Sequence, residues 1–504
     1  MGINGTDSES RAARNAAGAG DSKAGSAASE AGVSARGGVG ADTRGVASSE
    51  TVGVLDANVN GMESSVAGRE SFRSRAGFIL ACIGSAVGMG NIWLFPTRIS
   101  TYGGATFLVP YLIFVVLIAS TGVIGEMSFG RATRKGPIGA FSQATQERFG
   151  HRAPGAAAGI FPVVNSLAMA IGYSVVVGWI CKYLFDAIVG ADAGLTGAEQ
   201  FAQLFSETAA DNSLWLIVGM VAAVAILVFG VSRGIERANE VMMPLFFFLF
   251  VGLAIYVATL PGASAGYAYL FMLDPAGLLD PAVWVFALGQ AFFSLSVAGC
   301  GTLIYGSYLK DDVNVPFSAG MVALFDTLAA LLASAVIIPV MATAGQRLSS
   351  GGPGLLFIYL PTLFAEMPAG RVFEIVFFVA VLFGGLSSLI NLFEAPISTL
   401  QELFGMKRRP ACLLIGGVSI VVGLLIQPIV SPWMDVCSIY GCPIGALLAA
   451  VMFFWVLGPT RVLGEVNRGR TRKLGRGYVA LARYGFCGVT LVVLIAGSLL
   501  GGIG

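Results

Sequence analysis

Of the 504 residues, 56% are hydrophobic and only 12% are charged. That is about half the charged share of a soluble globular chain and marks an integral membrane protein. A net charge of +1 implies no nucleic-acid-binding surface, the single histidine (His151) leaves no multi-histidine metal site, and seven cysteines without a CxxC pair read as small buried hydrophobes.

Residues 1–68 are rich in Gly, Ala and Ser with both charge signs mixed in, and such a segment cannot bury enough apolar surface to offset its ordering entropy. They read as a disordered cytoplasmic tail, and no apolar run of signal-peptide type precedes residue 76. From there, stretches long enough to cross a bilayer (about 20 residues) follow one another. They occupy 76–99, 104–129, 156–186, 212–231, 239–260, 282–308, 316–343, 371–400, 411–428, 434–458 and 482–501. The pattern predicts an all-α polytopic membrane protein with 11 transmembrane helices. Residues 69–458 form a ten-helix core, and 459–504 a basic cytoplasmic loop and the eleventh helix. Apart from Arg98, Lys182, Arg347 and Arg371, every lysine and arginine falls in the tail or in loops on its side of the membrane. The N-terminus is therefore expected in the cytoplasm and the C-terminus outside.

The first span is interrupted by Gly84-Ser-Ala-Val-Gly-Met-Gly90 followed by Asn91, and the sixth by Ser294-Leu-Ser-Val-Ala-Gly-Cys-Gly301. These spans lead two successive groups of five. Glycine-interrupted segments at matching places of two halves point to a midplane binding site in an inverted-repeat transporter, because unwound backbone offers carbonyls to a cation and N–H groups to an anion. Either segment alone also fits close helix packing through small residues.

The run Gly84-Ser-Ala-Val-Gly-Met-Gly-Asn-Ile-Trp-Leu-Phe-Pro96, with Gly103-Gly-Ala-Thr-Phe-Leu-Val-Pro-Tyr111 and Glu126, resembles the neurotransmitter:sodium symporter family. So do Gln290-Ala-Phe-Phe-Ser-Leu-Ser296, Tyr305-Gly-Ser-Tyr308 and Gly384-Gly-Leu-Ser-Ser388. The resemblance covers 69–458. It implies a 5+5 inverted repeat with interrupted helices 1 and 6, and a sodium-coupled amino-acid importer of a bacterial inner membrane working by alternating access, not an enzyme. A channel or a substrate sensor on the same scaffold is the alternative. Oligomeric state is left open.

The resemblance also implies sites. A first sodium would take Ala86, Asn91, Ser294 and Asp326, completed by the substrate carboxylate. A second would take Gly84, Val87, Gly384, Ser387 and Ser388, although Ser387-Ser388 alone also reads as hydroxyls bonding to their own helix. The substrate would lie against Gly88, Met89, Gly90, Tyr173, Ser294 and Ser296. Its side chain would meet Met169, Phe293, Gly299, Ser388 and Leu392, a stripe that also fits ordinary packing. Gly88 stands where amine carriers have aspartate, which favours an amino acid. The apolar lining favours a neutral one, and Gly299, in place of a bulky residue, leaves room for an aromatic side chain.

Arg69, Phe72, Ser307, Tyr308 and Glu402 match the cytoplasmic gate. Outside, the usual gate arginine is replaced by Leu94, so Asp435 lacks its counter-ion unless Arg98, one turn further on, supplies it. Arg98 also reads as an interfacial side chain reaching for water. Gly234 and Pro244 either permit local unwinding or mark a plain helix start. Chloride-dependent relatives carry asparagine at position 326 and serine one turn later. Asp326 and Ala330 stand there instead, so chloride is not expected to be required; Asp326 alone also fits an aspartate bonded to Tyr111 and Gln290.

Overall fold

The computed structural model describes residues 70–192, 194–203, 210–343, 345 and 354–502, and every regular element among them is a helix. The described residues all belong to one compact unit, Glu50–Gly504. The tail expected to be disordered (1–68) and Arg69 lie outside the described residues.

The first span is two helices, α1 (Arg75–Ala86) and α2 (Gly90–Tyr102), bent by 55° at the glycine run. Val87 leaves the helix in an extended conformation. The break is held by a side chain: Asn91 Oδ1 accepts the Gly88 N–H at 2.9 Å, a bond the helix no longer supplies. The next spans are α3 (Gly104–Thr133), α4 (Ala153–Val189), α5 (Ala210–Val228) and α6 (Val231–Ala258). The sixth span divides into α7 (Pro281–Ser294) and α8 (Gly301–Ser307). Residues 295–300 between them are irregular, with Ser296 and Gly299 at φ +53° and +74°. Glu126, buried on α3, accepts the Gly299 N–H at 2.6 Å and the Thr302 hydroxyl, and Ser296 Oγ donates to Ser85 O at 3.0 Å. The unwound backbone is thus tied to protein groups, as a low-dielectric surround demands.

Around the two broken pairs stand α3, α4, α6, α9 (Val315–Thr343) and α10 (Gly370–Phe404). α4 and α10, 37 and 35 residues long, pack along each other and carry the cavity wall opposite the breaks. A helical run, Arg408–Val456, follows; its 49 residues suffice for two crossings at 1.5 Å per residue. Its first part is α11 (Arg408–Ile426), separated from the remainder by a 3₁₀ turn, Gln427–Ile429. The last apolar helix is α12 (Arg476–Leu500). Among the described residues, seven helices are long and apolar enough to cross a membrane alone, and the bent α1–α2 pair makes an eighth.

Each of the eleven expected spans falls on helix, with breaks in the first and the sixth. Pro137–Phe149, Ala263–Leu270 and Leu355–Glu366 are additional helical connectors. On α6, Val241, Leu245, Phe248, Val251 and Ile255 form one outward stripe of exposed apolar side chains, as a lipid-facing helix should.

Candidate functional site

The start of α2, the end of α7 and the middle of α9 meet at three fully buried polar side chains. Asn91 Nδ2 donates to Asp326 Oδ1 (2.7 Å), to the Asp326 carbonyl (3.0 Å) and to Ser294 Oγ (3.2 Å). Ser294 Oγ in turn donates to the Asp326 carboxylate at 2.8 Å. Among the described residues no lysine or arginine pairs with Asp326, which is 0% exposed. A buried carboxylate without a counter-charge is costly, and hard oxygen donors suit an alkali cation. Gln290 Nε2 donates to Gly90 O at 3.1 Å, while Gln290 Oε1 and the Tyr111 hydroxyl are buried without hydrogen-bond partners.

A second oxygen cluster joins the end of α1 to α10. Ser388 Oγ donates to Val87 O at 3.1 Å and reaches Gly84 O at 3.5 Å; Ser387 Oγ donates to Gly384 O at 3.0 Å. Ser387 therefore bonds to its own helix, whereas Ser388 crosses to the broken one. Asn239 of α6 adds an oxygen that sequence inspection missed. Its Oδ1 is buried and unpartnered, and a Cβ on Gly84 would sit 2.0 Å from it.

A cavity of about 290 Å³ opens between the clusters. Ala86, Gly90, Met169, Tyr173, Phe293, Ser294, Ser296, Ser388 and Leu392 line it, and so do Asn165, Ser166, Cys300, Asn391 and Cys442, which were not anticipated. Gly88 and Met89 stand behind the lining. A Cβ on Gly88 would fall 2.6 Å from Ser388 Oγ and 3.4 Å from Tyr173 Oη, so any side chain there displaces a hydroxyl.

Gly299 requires a correction. It does not line the cavity; a Cβ there would strike Gly445 O at 2.2 Å, and its φ of +74° is one that L side chains rarely adopt. The glycine serves a backbone crossing and leaves no room for a substrate.

Beside the start of α1, Phe72 packs edge-on against Phe78, Tyr305 and Tyr308. Tyr308 Oη donates to Glu394 Oε1 at 2.7 Å, and Arg408 grips the same carboxylate at 3.0 and 2.7 Å while its Nε donates to Leu227 O. Glu402 accepts the Gly136 N–H and the Ser398 hydroxyl; Ser307 Oγ donates to Ile304 O. Glu394 and Arg408 were overlooked, although a glutamate within an apolar span is itself a signal. Gly234 lies in a π-helical turn, Val231–Ile235, and α6 stays helical past Pro244.

At the cavity mouth, the Arg98–Asp435 pair, one of the two readings of Arg98, is not formed. Both residues line the cavity mouth, but the Arg98 guanidinium stacks 4.4 Å from the centre of the Phe286 ring. The aromatic face offers a cation–π contact that a solvated carboxylate does not outbid.

Residues 69–193 and 204–499 match the sodium:neurotransmitter symporter family. The chain is 34% identical over 357 residues to an uncharacterized sodium-dependent transporter, YhdH, of Bacillus subtilis, covering 70% of this chain and 77% of that one. It is 31% identical over 434 residues to another, MJ1319, of Methanocaldococcus jannaschii, covering 81% and 86%. Among solved structures, MhsT in complex with L-phenylalanine superposes with a TM-score of 0.74 at 32% identity, over 85% of this chain and all of that one.

Proposed function

Because the chain belongs to the sodium:neurotransmitter symporter family, we propose that it couples inward sodium movement to import of a neutral amino acid with a large apolar or aromatic side chain. The observation that carries this reading is the pair of buried oxygen clusters flanking one cavity, each joining a broken helix to an unbroken one. Eleven crossings in two inverted groups of five, in a bacterial inner membrane with the N-terminus inside, complete the proposal.

One sodium would bind at Asn91, Ser294, Asp326 and the Ala86 carbonyl, with the substrate carboxylate as a further ligand. Another would bind among Gly84, Val87, Gly384, Ser387 and Ser388. Backbone N–H groups near Met89 and Gly90, at the start of α2, would receive the substrate carboxylate beside Tyr173. Met169, Phe293 and Leu392 would pack on its side chain. Ions shared between broken and unbroken helices favour the arrangement that encloses the substrate, and their loss on the low-sodium side frees α1 to move. The Phe72 cluster and the Tyr308–Glu394–Arg408 chain, with Arg69 and Glu402, would close the inner side; Arg98 and Asp435 would flank the outer. With Asp326 at the first cluster, chloride is not required.

The test is uptake of each standard amino acid into proteoliposomes under an inward sodium gradient, with choline replacing sodium as control. Accumulation of a neutral amino acid that vanishes in choline supports the reading. Uptake indifferent to sodium overturns it.

A further inference from the structure

Glu465 is the last acidic residue of the chain, and the eleven residues after it carry Arg468, Arg470, Arg472, Lys473 and Arg476. A run of that kind is ordinarily a solvated loop without fixed shape. Here it is built. Arg131, fully buried on α3, donates from Nε to Glu465 Oε1 at 2.5 Å and from its terminal nitrogens to the carbonyls of Glu465 and Val313, both at 2.6 Å. That staple holds the end of the short helix Gly458–Val466, where the loop begins. Asn467 then closes the loop on itself: its Nδ2 donates to Leu474 O at 3.0 Å and its Oδ1 accepts the Leu474 N–H at 2.6 Å. Inside the closed loop, Arg470 Nε donates to Arg472 O at 2.9 Å.

The charges that this loop presents are mostly unpaired. Arg468 pairs with Asp311 at 3.0 Å, but among the described residues Arg470, Arg472, Lys473 and Arg476 form no ion pair. Arg472, Lys473 and Arg476 are exposed, and Arg470 is half-buried. Four like charges within seven residues repel one another, so a fold that holds them together is complementary to an anion.

The surroundings of the loop say which anion. Arg476 opens α12, whose exposed face begins with Leu481 and Tyr484, 45% and 66% accessible. The Tyr484 ring packs edge-on against exposed Trp455 at 5.4 Å, and the Arg483 guanidinium lies 5.1 Å from the centre of the Trp455 ring. Exposed tryptophan and tyrosine beside an arginine mark the headgroup level of a bilayer. Eight residues, about 12 Å of helix, separate Arg476 from Tyr484, which sets the loop against the phosphate layer outside that belt. A soluble phosphate would meet only the charges, whereas a lipid phosphate meets them while its acyl chains lie along α12.

We infer that the loop 467–476 is a binding site for the headgroup of an anionic phospholipid, with Arg470, Arg472, Lys473 and Arg476 around its phosphate. The inference needs only that the chain spans a membrane, and it holds whichever substrate is carried.

The full-length protein, purified in mild detergent, is titrated with phosphatidylglycerol or phosphatidylcholine, and bound lipids are counted by native mass spectrometry. Each lysine or arginine at an anionic surface contributes about fivefold in affinity, so Arg472→Gln with Lys473→Gln and Arg476→Gln should weaken the tightest phosphatidylglycerol site about 100-fold. Phosphatidylcholine binding should not change. Arg148→Gln with Lys407→Gln and Arg409→Gln removes as many exposed charges elsewhere and should leave that site intact. Asn467→Ala keeps every charge but opens the loop, and should weaken the site several-fold through lost preorganisation. Equal affinity for the two lipids, equal losses in the two triple variants, or unchanged binding in Asn467→Ala overturns the proposal. Displacement of phosphatidylglycerol by millimolar inorganic phosphate also overturns it, because the loop would then serve a soluble anion. Should Asn467→Ala not fold, the two triple variants, altered only at exposed side chains, still decide.

Discussion

Replacing Asp326 by asparagine removes one charge while leaving a side chain of the same shape beside Asn91 and Ser294. The carboxylate lies 2.7 Å from Asn91 Nδ2 and 2.8 Å from Ser294 Oγ, and among the described residues it has no cationic partner. An ionised aspartate at mid-membrane costs about 2.5–3.5 kcal/mol on insertion scales. Sodium about 4 Å away returns about 4 kcal/mol at an effective dielectric constant of 20. The net advantage of the charged, sodium-bound state is therefore about 1 kcal/mol, with about 4 kcal/mol as the ceiling. In Asp326→Asn the sodium concentration for half-maximal uptake should rise at least about fivefold, up to about 1000-fold if the attraction is fully realised. The neutral amide also removes the like-charge repulsion that keeps chloride away, so the variant should lose activity or acquire an anion requirement. Proteoliposome uptake measured against sodium, in chloride and in gluconate, reads both effects. A sodium dependence within twofold of the unmodified protein, with no anion effect, would refute the reasoning. Strict chloride dependence of the unmodified protein would do the same.

Ser387→Ala combined with Ser388→Ala removes two of the five oxygens of the second cluster and should abolish sodium-driven accumulation; uptake with unchanged sodium dependence in the double variant rules that cluster out as an ion site. Gly299→Ala should lower the melting temperature in detergent, because its Cβ would lie 2.2 Å from Gly445 O and its φ of +74° adds strain of about 1–3 kcal/mol. A variant that melts as the parent does contradicts the backbone role. Arg408→Gln strands the fully buried Glu394 carboxylate and should destabilise by about 3–5 kcal/mol, with Glu394→Gln in the same chain recovering much of the loss. A single variant as stable as the double would show that the pair is not coupled.

What was legible in the sequence follows the range of the interactions involved. Apolar length along the chain is a local property, so the spans and the breaks at Gly84–Gly90 and Ser294–Gly301 could be read directly. The members of both oxygen clusters came from the family resemblance, and the helices do bring Asn91, Ser294 and Asp326 together, and Gly84, Val87 and Ser388. Gly299 was misread because a glycine's purpose depends on what stands opposite, here the backbone of Gly445. Arg98 was left open between a carboxylate and the interface, because spacing reveals which charges share a helix face but not which aromatic ring lies nearer. Glu394 and Arg408 were passed over because the arginine, within a basic run, was counted only for topology. Asn165 and Asn391 escaped because a polar residue in an apolar span becomes informative only once its place on the cavity wall is seen.

The Asn91 side chain has a practical consequence for anyone dissecting ion binding. Its Oδ1 already receives the Gly88 N–H that closes the break in the first span, and its Nδ2 fans out to Ser294 and Asp326. Under the proposed first sodium site, the ion must share that oxygen with the main chain. Any substitution at position 91 then confounds a lost ligand with a distorted elbow, and its phenotype has no unique interpretation. Genetic screens for sodium-uncoupled variants should accordingly return position 91 together with Gly88. Clean separation of ion affinity from backbone geometry has to come from the partners at 294 and 326.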